Sequence, residues 1–432
     1  MEQNTGLSVA QGTALSVGAV LGTGVISMPA LAAQLAGPAS LLAWLALIVL
    51  SAPLAWTFAA LGARHPDGGG VSTYVRLAFG PRAAAAVGWC FFFAVPLGTP
   101  AAIAFAGGYV ADVLGGGRRT ELVTFLLVVG SVYAMNWFGL RLSGRVQLLL
   151  TGTLAALLLV TVLTALPHAR LANLTPFAPH GWTGIGAAAA VLVWGFAGWE
   201  AVSSLSAEYR DPRRDVPRAT AVAVLVVGAL YLAVAVTSVL VLGPALAASP
   251  APLADLLAAG VGGPVRVITA VVAVLLTMGT VNAYLAGTSR LGAALARDGA
   301  LPTRALGTPR RSLTFLGLAS LVAAALPISL HTSLLLVTGC LTLVYVIGTA
   351  AAVRLLPAGR SRAGAAVAFV AVLALLWLTG PPALLSLAVA AGAIGYHAWR
   401  SRSSAKIPSP APISPAPIAP NPNTKPACAL EP

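Results

Sequence analysis

Residues 18–37 read GAVLGTGVISMPALAAQLAG, a stretch inside a long apolar run where a helix is expected. Its centre is Gly22-Thr23-Gly24, with Gly18 one turn before and Pro29 shortly after. Glycine costs a helix interior about 1 kcal/mol relative to alanine. Placed at membrane depth, such a break also leaves backbone polar groups where they can least tolerate exposure. The stretch is therefore either a close-packing surface for a neighbouring helix or a deliberate interruption of a membrane span.

Composition decides between soluble and membrane contexts. Charged residues make up 8% of the 432-residue chain and apolar ones 58%, against about 25% charge in a soluble domain. The mean hydropathy is +0.90, and apolar runs of roughly 20 residues, each long enough to cross a bilayer, recur along the whole length. The chain is expected to be an all-α polytopic membrane protein whose main surroundings are the lipid bilayer. Cys90, Cys340 and Cys428 show no paired spacing, so neither a disulfide framework nor a metal site is implied, and no cofactor is called for. The first apolar run lacks a basic leader and continues into further spans, so it is expected to be retained rather than cleaved.

Twelve spans are predicted, at 10–36, 38–62, 83–113, 120–139, 143–166, 182–207, 217–243, 264–295, 312–330, 332–356, 363–380 and 382–399. With the amino terminus cytoplasmic, the loops and tail on that side collect all but four of the 25 Lys and Arg residues. The exceptions are Arg118, Arg119, Arg170 and Arg266. A bias of this size follows the positive-inside rule and supports an even number of spans, with both termini cytoplasmic. The net charge of +14 is then a topology signal rather than the footprint of a nucleic acid. Residues 1–9 form a short cytoplasmic leader. The Pro-rich segment 400–432 has no means of burying a core and is expected to be an extended, disordered tail.

A second interruption lies in the sixth span, VLVWGFAGWEAVSSLSAE at 191–208, where Gly195 and Gly198 bracket a short segment and Glu200 follows. Breaks in the first and sixth spans have the spacing of a five-helix repeat. Glycine-interrupted spans at corresponding positions of two halves point to a secondary transporter with inverted repeats. Each break frees amide N–H groups at one half-helix end and carbonyls at the other, which together hold a carboxylate and an ammonium group.

Four blocks, GAVLGTGVISMPA, WGFAGWEA, EYRDPRRDVPRAT and NAYLAGTSRLGAALARDGALP, resemble the amino acid–polyamine–organocation (APC) permeases in order and spacing. AQGTALSVGAVLGTGV and HPDGGGVSTYVRLAFGPR look most like the bacterial methionine and branched-chain amino-acid exporters within that family. The resemblance covers about residues 8–400 and implies two inverted five-helix units, 10–166 and 182–356, with broken helices 1 and 6, followed by two extra helices at 363–399. It implies that the amides and hydroxyl of Gly22, Thr23 and Gly24, with Val25 beside them, receive a substrate carboxylate. Carbonyls around Trp194, Gly195, Phe196, Ala197 and Gly198 would receive the amino group, with Trp194 and Phe196 as gating rings.

Of eleven acidic residues only Glu200 is placed well inside a span. An intramembrane ionisable group is a functional hypothesis by default, and Glu200 matches a family glutamate in the sixth span. A coupling or gating role with the proton as partner ion is expected. The alternative is a structural acid bonded to a broken-helix carbonyl. The fifth span carries no lysine, so the lysine proton site of some family members is absent, and Thr288 and Ser289 are the hydroxyls available for a sodium site. The reading is a plasma-membrane (bacterial inner-membrane) carrier of a neutral, hydrophobic amino acid, with proton-coupled efflux set against an uptake permease or exchanger. No HExxH, paired carboxylates or Ser/His/Asp set supports an enzyme, and no polar pore rings support a channel. The sequence leaves the oligomeric state open.

Overall fold

A computed structural model describes residues 7–66, 70–139, 144–200, 206–262 and 265–404. The expected tail from 405 onward, residues 1–6 of the leader and 201–205 of the sixth span lie outside the described residues. The described part is helical, with one isolated parallel bridge between Leu7 and Tyr209. Eight helical segments among the described residues are long and apolar enough to cross a membrane. The chain is thus an all-α polytopic membrane protein.

The first predicted span is two helices, α1 (Val9–Val20) and α2 (Gly24–Ala36). A capping box starts α1: the Ser8 hydroxyl accepts from the Gln11 amide, and the Gln11 side chain accepts from the Ser8 amide at 3.0 Å. Then come α3 (Ser40–Arg64), the short α4 (Val71–Phe79), α5 (Pro81–Leu114), α6 (Arg118–Trp137) and α7 (Gly144–Ala165). The sixth range holds α8 (Thr183–Phe196), which ends at the predicted break. After it run α9 (Pro212–Leu242), α10 (Pro252–Val261), α11 (Val265–Arg297), the single turn α12 (Thr303–Leu306), α13 (Pro309–Ala325), α14 (Leu330–Leu355), α15 (Arg360–Leu378) and α16 (Ala383–Ser404). Pro29, Pro53, Pro96, Pro100 and Pro217 all lie inside helices.

The packing brings the broken helices to the middle. α2 lies against α8, α1 and α3 against α9, and α5 against α11 and α14. The fully buried aromatics Trp44, Phe58, Phe92, Tyr109, Trp199 and Tyr231 fill the spaces between them. Ion pairs mark the two ends of α11, a helix of about 50 Å at 1.5 Å per residue. Arg266 at its start contacts Asp112 (2.5 Å) and Asp255 (2.7 Å), while Asp298 just past its end pairs with Arg76 (2.6 Å). Arg76 belongs to α4, so this pair ties α4 to the end of α11. The Arg290 Nε donates to the Ala286 carbonyl of its own helix at 3.1 Å.

The bridge at Leu7 fastens the start of α1 to the segment that follows the second break. Leu7 donates to the Glu208 carbonyl at 2.7 Å, and the Arg210 amide donates to Leu7 at 3.3 Å. The Tyr209 ring then rests on Gly12, where any Cβ would fall 2.0 Å from the phenol oxygen.

Candidate functional site

The two breaks cross. α1 ends at Val20, and Leu21, Gly22 and Thr23 form a non-helical link before α2 begins at Gly24. Thr23 occupies the cap position of α2, yet its side chain makes no capping hydrogen bond. The first-turn amides of α2 therefore have no intrahelical acceptor and no side-chain cap. On the other helix, α8 stops at Phe196, Ala197 turns extended (ψ 144°), and Gly198 takes φ +122°. That conformation is open to glycine and strained for other residues.

Two glycine contacts hold the crossing together. A Cβ on Gly24 would lie 2.8 Å from the Gly195 Cα, so α2 and α8 touch backbone to backbone. A Cβ on Gly198 would lie 2.5 Å from the Ala19 carbonyl oxygen, so the end of α8 also rests on the end of α1. Both expected breaks thus meet each other, and each uses a glycine to do so.

A cavity opens at this junction. It encloses about 70 Å³. Gly22, Thr23, Gly24, Trp194 and Ala197 line it, joined by Ala19 and Val20 from α1. The opposite wall comes from α5, through Phe91, Ala94, Val95, Gly98, Thr99 and Ala102. Thr280, Val281 and Tyr284 of α11 and Val337 and Leu341 of α14 complete it. No charged side chain is among these lining residues, and the Thr99 hydroxyl donates to the Val95 carbonyl of its own helix at 2.8 Å.

The remaining sequence-predicted residues lie off the cavity wall. Val25 is buried beside Gly24. Phe196 points the other way, its ring centroid 6.0 Å from Trp44 and 5.0 Å from Tyr231. There it lines a smaller cavity of about 20 Å³ behind the break, together with Ser51, Trp199, Thr342 and Tyr345. The Gly195 carbonyl is occupied, accepting from the Tyr231 hydroxyl at 2.6 Å. Thr288 and Ser289 are buried on α11, one turn past the cavity-lining Tyr284, and the Ser289 hydroxyl donates to the Ala286 carbonyl at 3.0 Å.

Glu200 sits just beyond the break with its Oε2 turned back onto it. This oxygen accepts from the Gly198 amide at 2.9 Å and from the Tyr345 hydroxyl. Both of these partners donate to the carboxyl, and one of them is an amide freed by the break. The Gly198 amide also approaches the Tyr345 hydroxyl oxygen at 3.3 Å.

Two residues that sequence reasoning missed organise the junction. The Tyr231 hydroxyl on α9 contacts the Val20 carbonyl at 2.9 Å as well as that of Gly195, and so bridges the carbonyl ends of both broken helices. Tyr345 on α14 braces Glu200. The signal was available in each case: a single tyrosine inside an otherwise apolar span must find a partner for its hydroxyl.

Comparison with known proteins agrees with this architecture. The profile of the amino acid permease family matches residues 7–384. The uncharacterized amino acid permease YecA of Bacillus subtilis is 34% identical over 296 residues, which cover 68% of this chain and 69% of that protein. The L-methionine/branched-chain amino acid exporter YjeH of Escherichia coli is 37% identical over 228 residues, 52% of this chain and 54% of YjeH. The branched-chain amino acid permease BcaP of Bacillus subtilis is 26% identical over 241 residues, covering about half of each protein. With matching breaks that meet at a cavity and a family profile spanning most of its length, the chain belongs to the amino acid permease family of the APC superfamily.

Proposed function

We propose that this protein is a secondary active transporter that exports a neutral, hydrophobic amino acid of the methionine, leucine, isoleucine or valine type, coupled to protons, by alternating access. The observation that carries the reading is the cavity at the crossing of the breaks. An uncapped helix N-terminus faces into it at Thr23–Gly24, and no charged side chain lines it. A free amino acid brings both charges of its own. Its carboxylate suits the amides of Gly24 and Val25 and the Thr23 hydroxyl, and its ammonium suits the carbonyl ends of α1 at Ala19 and of α8 at Ala197. The apolar α5 and α14 walls accept a hydrophobic side chain and offer nothing to neutralise a cationic one.

The described helices overlap the twelve predicted ranges, which supports two inverted five-helix repeats, 10–166 and 182–356, with two further helices at 363–399. The Arg and Lys distribution supports cytoplasmic termini, and placement in the plasma membrane is part of the same proposal. Export is favoured by likeness to the exporter YjeH, and a branched-chain substrate by likeness to both YjeH and the branched-chain amino acid permease BcaP; uptake or exchange is the alternative direction. The test is purified protein in liposomes, loaded and challenged with a panel of labelled amino acids, with and without a pH gradient. Methionine or leucine is expected to exchange. Carriage of arginine or a polyamine with no neutral substrate would overturn the reading, and the gradient polarity that drives accumulation separates export from uptake.

Glu200 is the coupling group in this proposal because it reaches the break through Gly198 without lining the substrate cavity. Glutamine in its place keeps an acceptor for Gly198 and Tyr345 but cannot exchange a proton. In the Glu200→Gln variant, flux driven by the pH gradient is expected to be largely lost, as for removal of an intramembrane relay group, while exchange at equal pH persists. Unchanged gradient dependence would remove Glu200 from coupling.

A further inference from the structure

Trp194 enters the cavity from the last turn of α8, and three contacts define where its indole rests. The Cδ1 edge lies beside α2, 3.3 Å from where a Cβ on Gly24 would stand. The far edge lies over α5: a Cβ on Gly98 would be 3.1 Å from Cη2 and 3.3 Å from Cζ3. Phe105 backs the ring edge-on, with centroids 6.3 Å apart at 81°. Both ends of the indole are therefore seated on glycines, one on each side of the cavity.

Gly98 lies in the interior of α5 without a positive φ, so backbone conformation does not demand glycine there, and alanine would favour the helix. What glycine provides is room. Val337 of α14 closes the same space from the other side, its Cγ2 3.4 Å from the position a Gly98 Cβ would take. Ala94 and Ala102, one turn to either side, also line the cavity.

We propose that Gly98 sets the upper size limit on the transported side chain, by letting the far edge of the Trp194 indole reach α5 and leaving the space beside Val337 and Leu341 open. The inference rests on the reading of this cavity as the amino-acid site. A methyl group at position 98 meets the indole inside normal carbon–carbon contact, about 3.5–4.0 Å. The ring must then move off α5 and into the cavity. Large substrates lose their space first and small ones keep theirs.

The test compares methionine with alanine in liposome counterflow for the wild type, Gly98→Ala, and Gly98→Ala combined with Trp194→Phe. A lost methylene's worth of room in an apolar pocket is worth tenfold or more, so the methionine-to-alanine ratio in Gly98→Ala should fall by about tenfold. Trp194→Phe removes the ring atoms that collide and should return the ratio most of the way. Val337→Ala, which widens the same space from α14, should shift it the opposite way and provides the test should Gly98→Ala fail to fold. An unchanged ratio in Gly98→Ala or Val337→Ala, or no recovery in the double variant, overturns the size-limit role alone. A wild-type protein that exchanges no neutral amino acid overturns the reading of the site, and this inference with it.

Discussion

Valine at position 24 is expected to abolish substrate binding, with affinity falling by a hundredfold or more, about 2.8 kcal/mol at 1.4 kcal/mol per decade. Gly24 is the first residue of α2, and the atom its Cβ would strike first is the Gly195 Cα at 2.8 Å, with Trp194 Cδ1 at 3.3 Å. A backbone atom cannot rotate away as a side chain does. Even alanine would push α2 off α8, and valine adds two more carbons with a stiff χ1. Overpacking of this kind typically costs about 1–3 kcal/mol of stability, which a large helical bundle can survive. The geometry of the junction cannot survive it, because the first-turn amides of α2 face the cavity only while the two helices touch. Methionine-induced thermal stabilisation in detergent, beside direct binding of labelled methionine, separates the two effects. A folded Gly24→Val protein with wild-type affinity would refute the carboxylate cradle, and Gly24→Ala should fall between the two.

The helical architecture and the positions of the breaks were legible because both depend on local chemistry. Apolar run length places the spans, and glycine pairs at membrane depth mark where the helix stops. The first break falls at Leu21–Thr23 and the second at Ala197–Gly198, within a residue or two of where the glycines point. Side-chain direction was less accessible. Trp194 and Phe196 look alike in WGFAGWEA, yet two residues along a helix turn the side chain by about 200°. Trp194 therefore faces the cavity, and Phe196 packs on Trp44 and Tyr231 behind it. Thr280 and Tyr284 share one helical face with Thr288, but only the first two reach the depth of the cavity. The α5 wall carries no motif because its contribution at Ala94, Gly98 and Ala102 is the absence of side chain. For Glu200 the residue was evident and its partner was not. The turn at Gly198, with φ +122°, brings its amide back to the carboxyl.

Tyr231 depends wholly on tertiary structure, since its hydroxyl joins carbonyls 211 and 36 residues away in sequence. Phenylalanine at this position is expected to lower transport by one to two orders of magnitude while leaving the protein folded. The ring contacts should remain, because Trp44 at 5.4 Å and Phe196 at 5.0 Å pack edge-on against the ring and not the hydroxyl. Hydrogen bonds between membrane helices average only about 0.6 kcal/mol, because groups released from one partner usually find another. The Val20 and Gly195 carbonyls are a harder case. Each stands at or near the end of a broken helix, where a regular i+4 amide donor is lacking. The Gly22 amide at 2.7 Å offers Val20 a partial substitute. A buried carbonyl left without a donor costs about 1–3 kcal/mol, so the thermal midpoint should drop modestly. Flux should drop more, because the hydroxyl ties together the two helix ends that form opposite sides of the substrate junction. Equal losses of stability and flux on a common free-energy scale would make Tyr231 a packing residue. Loss of flux and methionine affinity with a near-normal midpoint would identify its hydroxyl as the brace that holds both breaks in register.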